Sequence, residues 1–167
     1  MIWLIAGASH TGKTALAQRM LERRHVPYLS LDHLKMGLNR SGQTSLTPMD
    51  DALLTAYLWP IAREIIRTAL ENGQNLIVEG CYIPETWSED FTAAELQQIR
   101  YRCLILSRNY LDTHREAICA YANIIERRLD AAVDWEALYR DNEENLRMCI
   151  ARGYPYTLID GIYAVDP

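Results

Sequence analysis

Eight residues near the start of the chain, Gly7-Ala8-Ser9-His10-Thr11-Gly12-Lys13-Thr14, fit the spacing G-x-x-x-x-G-K-[ST]. Each residue type in that pattern has work to do around a phosphate. Glycines let successive backbone N–H groups turn inward onto phosphate oxygens, a lysine reaches the β- and γ-phosphates, and a threonine hydroxyl is offered to Mg²⁺. A helix that begins near Lys13 adds its N-terminal dipole to the same anion site. The phosphate contacts are therefore assigned to Gly7, Ser9, His10, Thr11, Gly12, Lys13, Thr14 and Ala15. His10 serves through its backbone, and its ring receives no catalytic role.

Two carboxylates stand where they can serve such a loop. Asp32 closes the apolar run "YLSLD" and can accept a proton from a hydroxyl that attacks the γ-phosphate. A cap on the short helix that follows is a compatible second use. Glu79 closes the run "NLIVEG", the place of a Walker B acid, where it would hold Mg²⁺ partly through water, with Thr14 as the other metal contact. A glutamate followed by glycine is also what an ordinary turn looks like. The two acids can divide the labour between acceptor and metal in either order.

The elements that position these groups are legible in the apolar pattern. Five short runs, at 2–7, 28–32, 75–80, 102–107 and 156–160, are rich in Ile, Leu and Val with little alternation, as strands buried on both faces are. Helical periodicity fills the intervals. One helix runs from Lys13 to His25, and another spans about 48–72 with Leu54, Leu58, Ile61, Ile65 and Ala69 on one face. Thr47, Pro48 and Asp50 supply its N-cap, first-turn proline and the acid of a capping box, Gly73 suits its end, and Pro60 predicts a kink. Further helices are expected near 93–100, 110–129 and 135–152, with Thr92 and Asp134 as N-caps and Gly153 as a stop. Arg63 and Arg67 fall off the apolar face and read as solvated, with Arg67 in reach of Glu71. Strands alternating with helices make an α/β three-layer fold, and the absence of repeats or linker-like stretches makes residues 1–167 one domain.

On the loop and on this order of elements, the sequence resembles the P-loop kinases of the adenylate kinase-like group over nearly the whole chain. The resemblance implies a P-loop NTPase fold with a five-stranded parallel sheet ordered 2-3-1-4-5 and ATP lying over the loop at the carboxyl ends of the strands. "SLDHLKMG" is similar to the stretch in uridine kinase-like and zeta-toxin-like proteins whose aspartate contacts the acceptor or acts as base, which points to Asp32. The "EG" ending at Glu79 resembles several small-molecule kinases. Adenylate kinases themselves carry Asp-Gly-Phe-Pro-Arg at the third strand, whereas this chain has Gly80-Cys81-Tyr82-Ile83-Pro84-Glu85, a departure that weakens the case for a nucleoside monophosphate as acceptor. Arg40 follows the second strand where that group often has a phosphate-binding arginine. The resemblance also implies a short lid near 127–135. Arg127 and Arg128 are its candidates for clamping the transferred phosphoryl group, with Arg108 and Arg115 behind them. Trp87 follows Glu79 toward the acceptor side, and the tail "DGIYAVDP" lies where related kinases pass the adenine base.

Composition bounds the partners. A net charge of −5 gives no general attraction for nucleic acid or anionic lipid, so phosphate must be held locally. No apolar run reaches the length of a membrane span, and the apolar start is too short for a signal peptide. Cys81, Cys103, Cys119 and Cys149 show neither paired nor metal-binding spacing and read as reduced core thiols of a cytoplasmic protein. The leading expectation is an ATP- and Mg²⁺-dependent kinase acting on a hydroxyl of a small metabolite. The resemblance offers a nucleoside or nucleotide, a sugar or sugar acid, a phosphoglycerate-like acid or an amino-sugar nucleotide as acceptor. The alternative is a nucleotide-dependent switch or slow ATPase acting through a protein partner, and a weaker one is an antibiotic-modifying phosphotransferase. A GTPase is disfavoured because no Asn-Lys-x-Asp signature follows the fourth strand. Oligomeric state is not legible.

Overall fold

The apolar runs at 2–7 and 75–80 hide an alternation that only packing reveals. In β1, Ile2–Gly7, the side chains of Ile2, Leu4 and Ala6 enter one core, while Ile5 enters another on the opposite face of the sheet. A strand covered on both sides has no solvent-facing position to be polar, which is why its sequence reads as continuous. The computed structural model describes residues 1–47, 50–121 and 133–166.

Five parallel strands follow the order β2-β3-β1-β4-β5, with β2 at Tyr28–Ser30, β3 at Leu76–Glu79, β4 at Ile99–Leu106 and β5 at Tyr156–Ile159. This is the expected α/β P-loop NTPase arrangement. Helices α1 (Lys13–Arg24), α5 (Arg108–Thr113) and α7 (Trp135–Arg152) supply Leu16, Met20, Leu111 and Leu138 to the core that contains Ile5. Helices α2 (Leu31–Arg40) and α3 (Asp51–Glu71) supply Leu31, Leu54, Leu58 and Ile66 to the other. Two shorter helices, α4 (Ala93–Leu96) and α6 (Arg115–Tyr121), complete the order.

Several boundaries differ from the sequence reading. The fourth strand begins at Ile99, not near 102, because Ile99, Tyr101 and Cys103 alternate with exposed Arg100 and Arg102 before the run becomes wholly apolar. The helix before it is correspondingly shorter, although Thr92 caps it as expected in a full capping box with Glu95. The helix expected over 110–129 starts earlier, at Arg108, where the Ser107 hydroxyl accepts from the Tyr110 N–H at 2.9 Å, and it breaks at His114. Its continuation past Tyr121 lies outside the described residues.

In α3 the buried stripe is Leu54, Leu58, Ala62, Ile66 and Ala69, three i+4 steps and a final i+3 step that leave Ile61 and Ile65 partly exposed at its margin. The helix starts at Asp51 with Asp50, not Thr47, at its N-cap position, and Pro48 lies outside the described residues. Asp50 Oδ2 accepts from both the N–H and the hydroxyl of Thr47 at 2.9 Å, so the pair closes the turn before the helix instead of capping a first-turn N–H. It runs through Pro60 as one helix, with the proline on the exposed side. Arg67 bonds Glu64 and the Asp90 carbonyl rather than Glu71, and Arg63 reaches Asp90, so both tie α3 to the turn at Trp87–Asp90. Asp134 caps α7 through the Ala137 N–H, and Gly153 closes it in a left-handed turn. Of the cysteines, Cys103 and Cys149 are core thiols, whereas Cys81 and Cys119 are exposed. Among the described residues, no helix is long and apolar enough to cross a membrane.

Candidate active site

The loop between β1 and α1 is shaped by two glycines at positive φ, where a side chain would be strained. Gly7 has φ 137°, and a Cβ there would stand 2.3 Å from the carbonyl oxygen of Leu104 in β4. Gly12 has φ 83°, and its Cβ would stand 2.0 Å from the phenol oxygen of Tyr163. Between them the chain folds around one carbonyl, that of Ala8, which accepts from Thr11 Oγ1 at 2.9 Å and from Lys13 Nζ at 2.7 Å. Thr11 is fully buried and Lys13 is 6% exposed, so the ammonium lies inside the loop's concavity. His10 takes a positive φ of 63°, part of the same tight turn. Ser9 Oγ lies 3.9 Å from Cys81 Sγ, and Thr14 and Ala15 occupy the first turn of α1.

Parallel pairing brings both predicted acids to this loop. Glu79 is the last residue of β3, paired in register with Ile5 of β1 and Ser30 of β2, and is 1% exposed. The Thr14 hydroxyl donates to its Oε1 at 3.1 Å, joining the loop side of α1 to the end of β3. Asp32 lies not on the strand, as the sequence suggested, but two residues beyond it in the first turn of α2. There Lys35 Nζ pairs with its Oδ1 at 2.5 Å and donates to the Tyr82 hydroxyl at 3.0 Å.

Electrostatics ties these groups into one site. Burial works against the charge of Lys13, but nearby Cys81, Glu79 and Asp32 outweigh it and hold the ammonium above its ordinary pKa. Lys35 behaves alike: burial pulls it down, and Asp32 and Tyr82 raise it well above the usual lysine range. Among the described residues, no cluster of three or more His, Cys, Asp or Glu could hold a metal by itself. The pair of one hydroxyl and one carboxylate suits a hard cation that completes its shell with phosphate oxygens and water, as Mg²⁺ does.

The remaining candidates fall away from this centre or beyond it. Arg127 and Arg128, with most of the expected lid, lie outside the described residues. Arg108 pairs with Glu143 at 2.9 Å and Arg115 donates to the Tyr139 hydroxyl at 3.2 Å, so both brace α5 and α6 against α7. Arg40 is exposed at the end of α2. Trp87 is not a stacking surface for an acceptor: it is 5% exposed and stacks on Tyr101 at 5.1 Å inside the core. Sequence reasoning overlooked Lys35, Tyr82 and Tyr163. The first had a usable signal, since "LDHLK" places Lys35 one turn after Asp32 once a helix is drawn there.

A family profile described as an AAA domain matches residues 2–110, which contain the loop and both acids. No curated protein matches the chain. Among solved structures it is similar to a deoxyadenosine kinase from M. mycoides, at 12% identity and TM-score 0.53, covering 96% of this chain and 90% of that one. It is also similar to a sugar kinase from a Janibacter species, at 14% identity and TM-score 0.52, covering 95% and 83%. A shikimate kinase from Bacteroides thetaiotaomicron gives 11% identity and TM-score 0.51, covering 98% and 89%. At such identities the likeness is one of fold, and the fold is one that P-loop kinases share. Because the profile spans about two thirds of the residues, loop and acids included, the chain belongs to the AAA domain family of P-loop proteins.

Proposed function

We propose that the protein is an ATP-dependent phosphotransferase that moves the γ-phosphate to a hydroxyl of a small metabolite. The observation that carries this reading is the convergence of Lys13, the Thr14–Glu79 hydrogen bond and the Asp32–Lys35 pair at the carboxyl ends of β1, β2 and β3. In this reading Lys13 and the N–H groups of residues 9–15 hold the phosphates. Thr14 and Glu79 hold Mg²⁺, which supplies neutralisation of phosphate charge when bound. Asp32 lies on the open side of the site, 31% exposed at its side chain, where an acceptor hydroxyl can reach it. It orients that hydroxyl and takes its proton as the oxygen attacks. Arg127 and Arg128 are proposed as the lid cations, and the cytoplasm as the working compartment.

The acceptor is drawn from nucleosides, sugars and sugar acids, phosphoglycerates and amino-sugar nucleotides. ADP release from Mg²⁺-ATP is measured against that panel, with Lys13→Ala as the blank. A compound that raises turnover well above the rate in water identifies the acceptor. Binding of ATP without stimulation by any small molecule, but with stimulation by a protein, would replace this reading with that of a nucleotide-dependent switch.

A further inference from the structure

The tail after β5 returns to the loop and is fastened there. Tyr163 donates its hydroxyl to the Thr11 carbonyl at 3.0 Å. Arg19 of α1 bonds the same phenol and donates to the Val165 carbonyl at 3.0 Å, while Arg102 of β4 holds the Asp166 carbonyl at 2.9 Å. Val165 is buried in the core that also contains Ala8 of the loop and Leu16 of α1. Burial raises the pKa of the phenol, so it stays a donor.

We propose that Tyr163 is a positioning residue for nucleotide binding, one that sets the direction of the Gly12 N–H from outside the loop. In a trans peptide the carbonyl and the following N–H point in opposite directions. Fixing the Thr11 oxygen on Tyr163 therefore turns the Gly12 N–H away from the tail, leaving it free for a phosphate oxygen. The phenol also fills the space beside Gly12 that a Cβ would occupy, so the left-handed turn there and the tyrosine are fitted to one another. The tail thereby contributes to the phosphate cradle without touching the phosphates.

This inference rests on the nucleotide reading of the loop, and calorimetry separates the two. Binding of ADP and of inorganic tripolyphosphate, each with Mg²⁺, is compared for the wild type and Tyr163→Phe. Losing one hydrogen bond predicts about fivefold weaker binding of both ligands, with little change in the thermal midpoint of the free protein. Tripolyphosphate has no base, so a loss confined to ADP would overturn the inference in favour of a contact with the base. Unchanged binding of both would also overturn it, leaving the loop's role intact. Failure of the wild type to bind either ligand would overturn the nucleotide reading itself. Arg19→Met is the second variant, since it removes the donor to the phenol oxygen and the Val165 anchor but keeps the tyrosine and its own bond to Thr11. It predicts a smaller loss for the same two ligands, and no loss for either would count against the tail.

Discussion

The Thr14 hydroxyl and the Glu79 carboxylate meet at 3.1 Å across the mouth of the loop, although 65 residues separate them in the chain. A hydroxyl and a carboxylate fixed together in a buried setting would serve the proposed kinase as a preformed pair of contacts for a hard cation. Glu79→Gln keeps the shape and the hydrogen bond but removes the negative charge. Partners of this kind contribute about 10- to 100-fold to metal affinity. The Mg²⁺ concentration giving half-maximal nucleotide turnover should rise by that order in Glu79→Gln. An unchanged Mg²⁺ dependence would take Glu79 out of the metal site.

Lys13 keeps its charge because Cys81, Glu79 and Asp32 together overcome the burial that opposes it, raising its pKa above the ordinary 10.5. A lysine raised on folding contributes stability fully below its unfolded pKa and loses that contribution only as pH climbs through the higher folded one. Affinity for Mg²⁺-ATP should therefore stay flat from pH 7 to about pH 9.5, below both values. Lys13→Ala should lower turnover by about 100- to 1,000-fold, the scale of removing one preorganised charge donor. A fall in wild-type affinity across that pH range would show that Lys13 titrates within it.

Lys35 stands between Asp32 and Tyr82, and its loss would leave the aspartate without the cation 2.5 Å away. Taking away a neighbouring positive charge makes a carboxylate easier to protonate. In Lys35→Met, kcat/KM for the acceptor should drop about 10-fold near neutral pH and further as the solution is acidified toward pH 5.5, because the base then fills with a proton. Lys35→Arg should restore most of the loss. Equal loss at every pH would make Lys35 a packing residue only.

The sheet and the loop were legible because their signals are local: a strand buried on both faces is a short apolar run, and a phosphate loop is a contiguous pattern. Glu79 was legible as a strand end, and a parallel sheet gathers strand ends along one edge. The same reading puts Asp32 at a strand end too, although it stands in the first turn of α2. What the pattern hid depends on contacts made across the chain. Trp87 follows Glu79 and β3 in sequence, yet its partner is Tyr101 on β4, so it packs. Ile61 and Ile65 have the right spacing for a buried face, but the row that meets the sheet is the adjacent one through Ala62 and Ile66. Tyr163 had no signal, since its bond to Thr11 spans 152 residues.

Asp90 gathers three bonds that fasten α3 to the turn at Trp87–Asp90. Its carboxylate accepts from Trp59 Nε1 at 2.7 Å and from Arg63 at 3.3 Å, and its carbonyl accepts from Arg67 at 2.6 Å. Asp90→Ala keeps the carbonyl bond but strands the indole N–H of Trp59, a residue 5% exposed, and leaves Arg63 with the exposed Glu64 alone. The surface pair is worth little, because solvent and salt screen it. An unsatisfied buried donor costs about 1–3 kcal/mol. The unfolding free energy should therefore fall by that amount, read as a lower denaturation midpoint at constant denaturant slope, and most of the loss should persist at high salt, since it comes from the tryptophan rather than the arginine. Asp90→Asn, whose amide oxygen can still accept from Trp59, should recover the greater part. If Asp90→Asn is as unstable as Asp90→Ala, or if salt erases the difference from wild type, the ion pair and not the indole bond holds the helix.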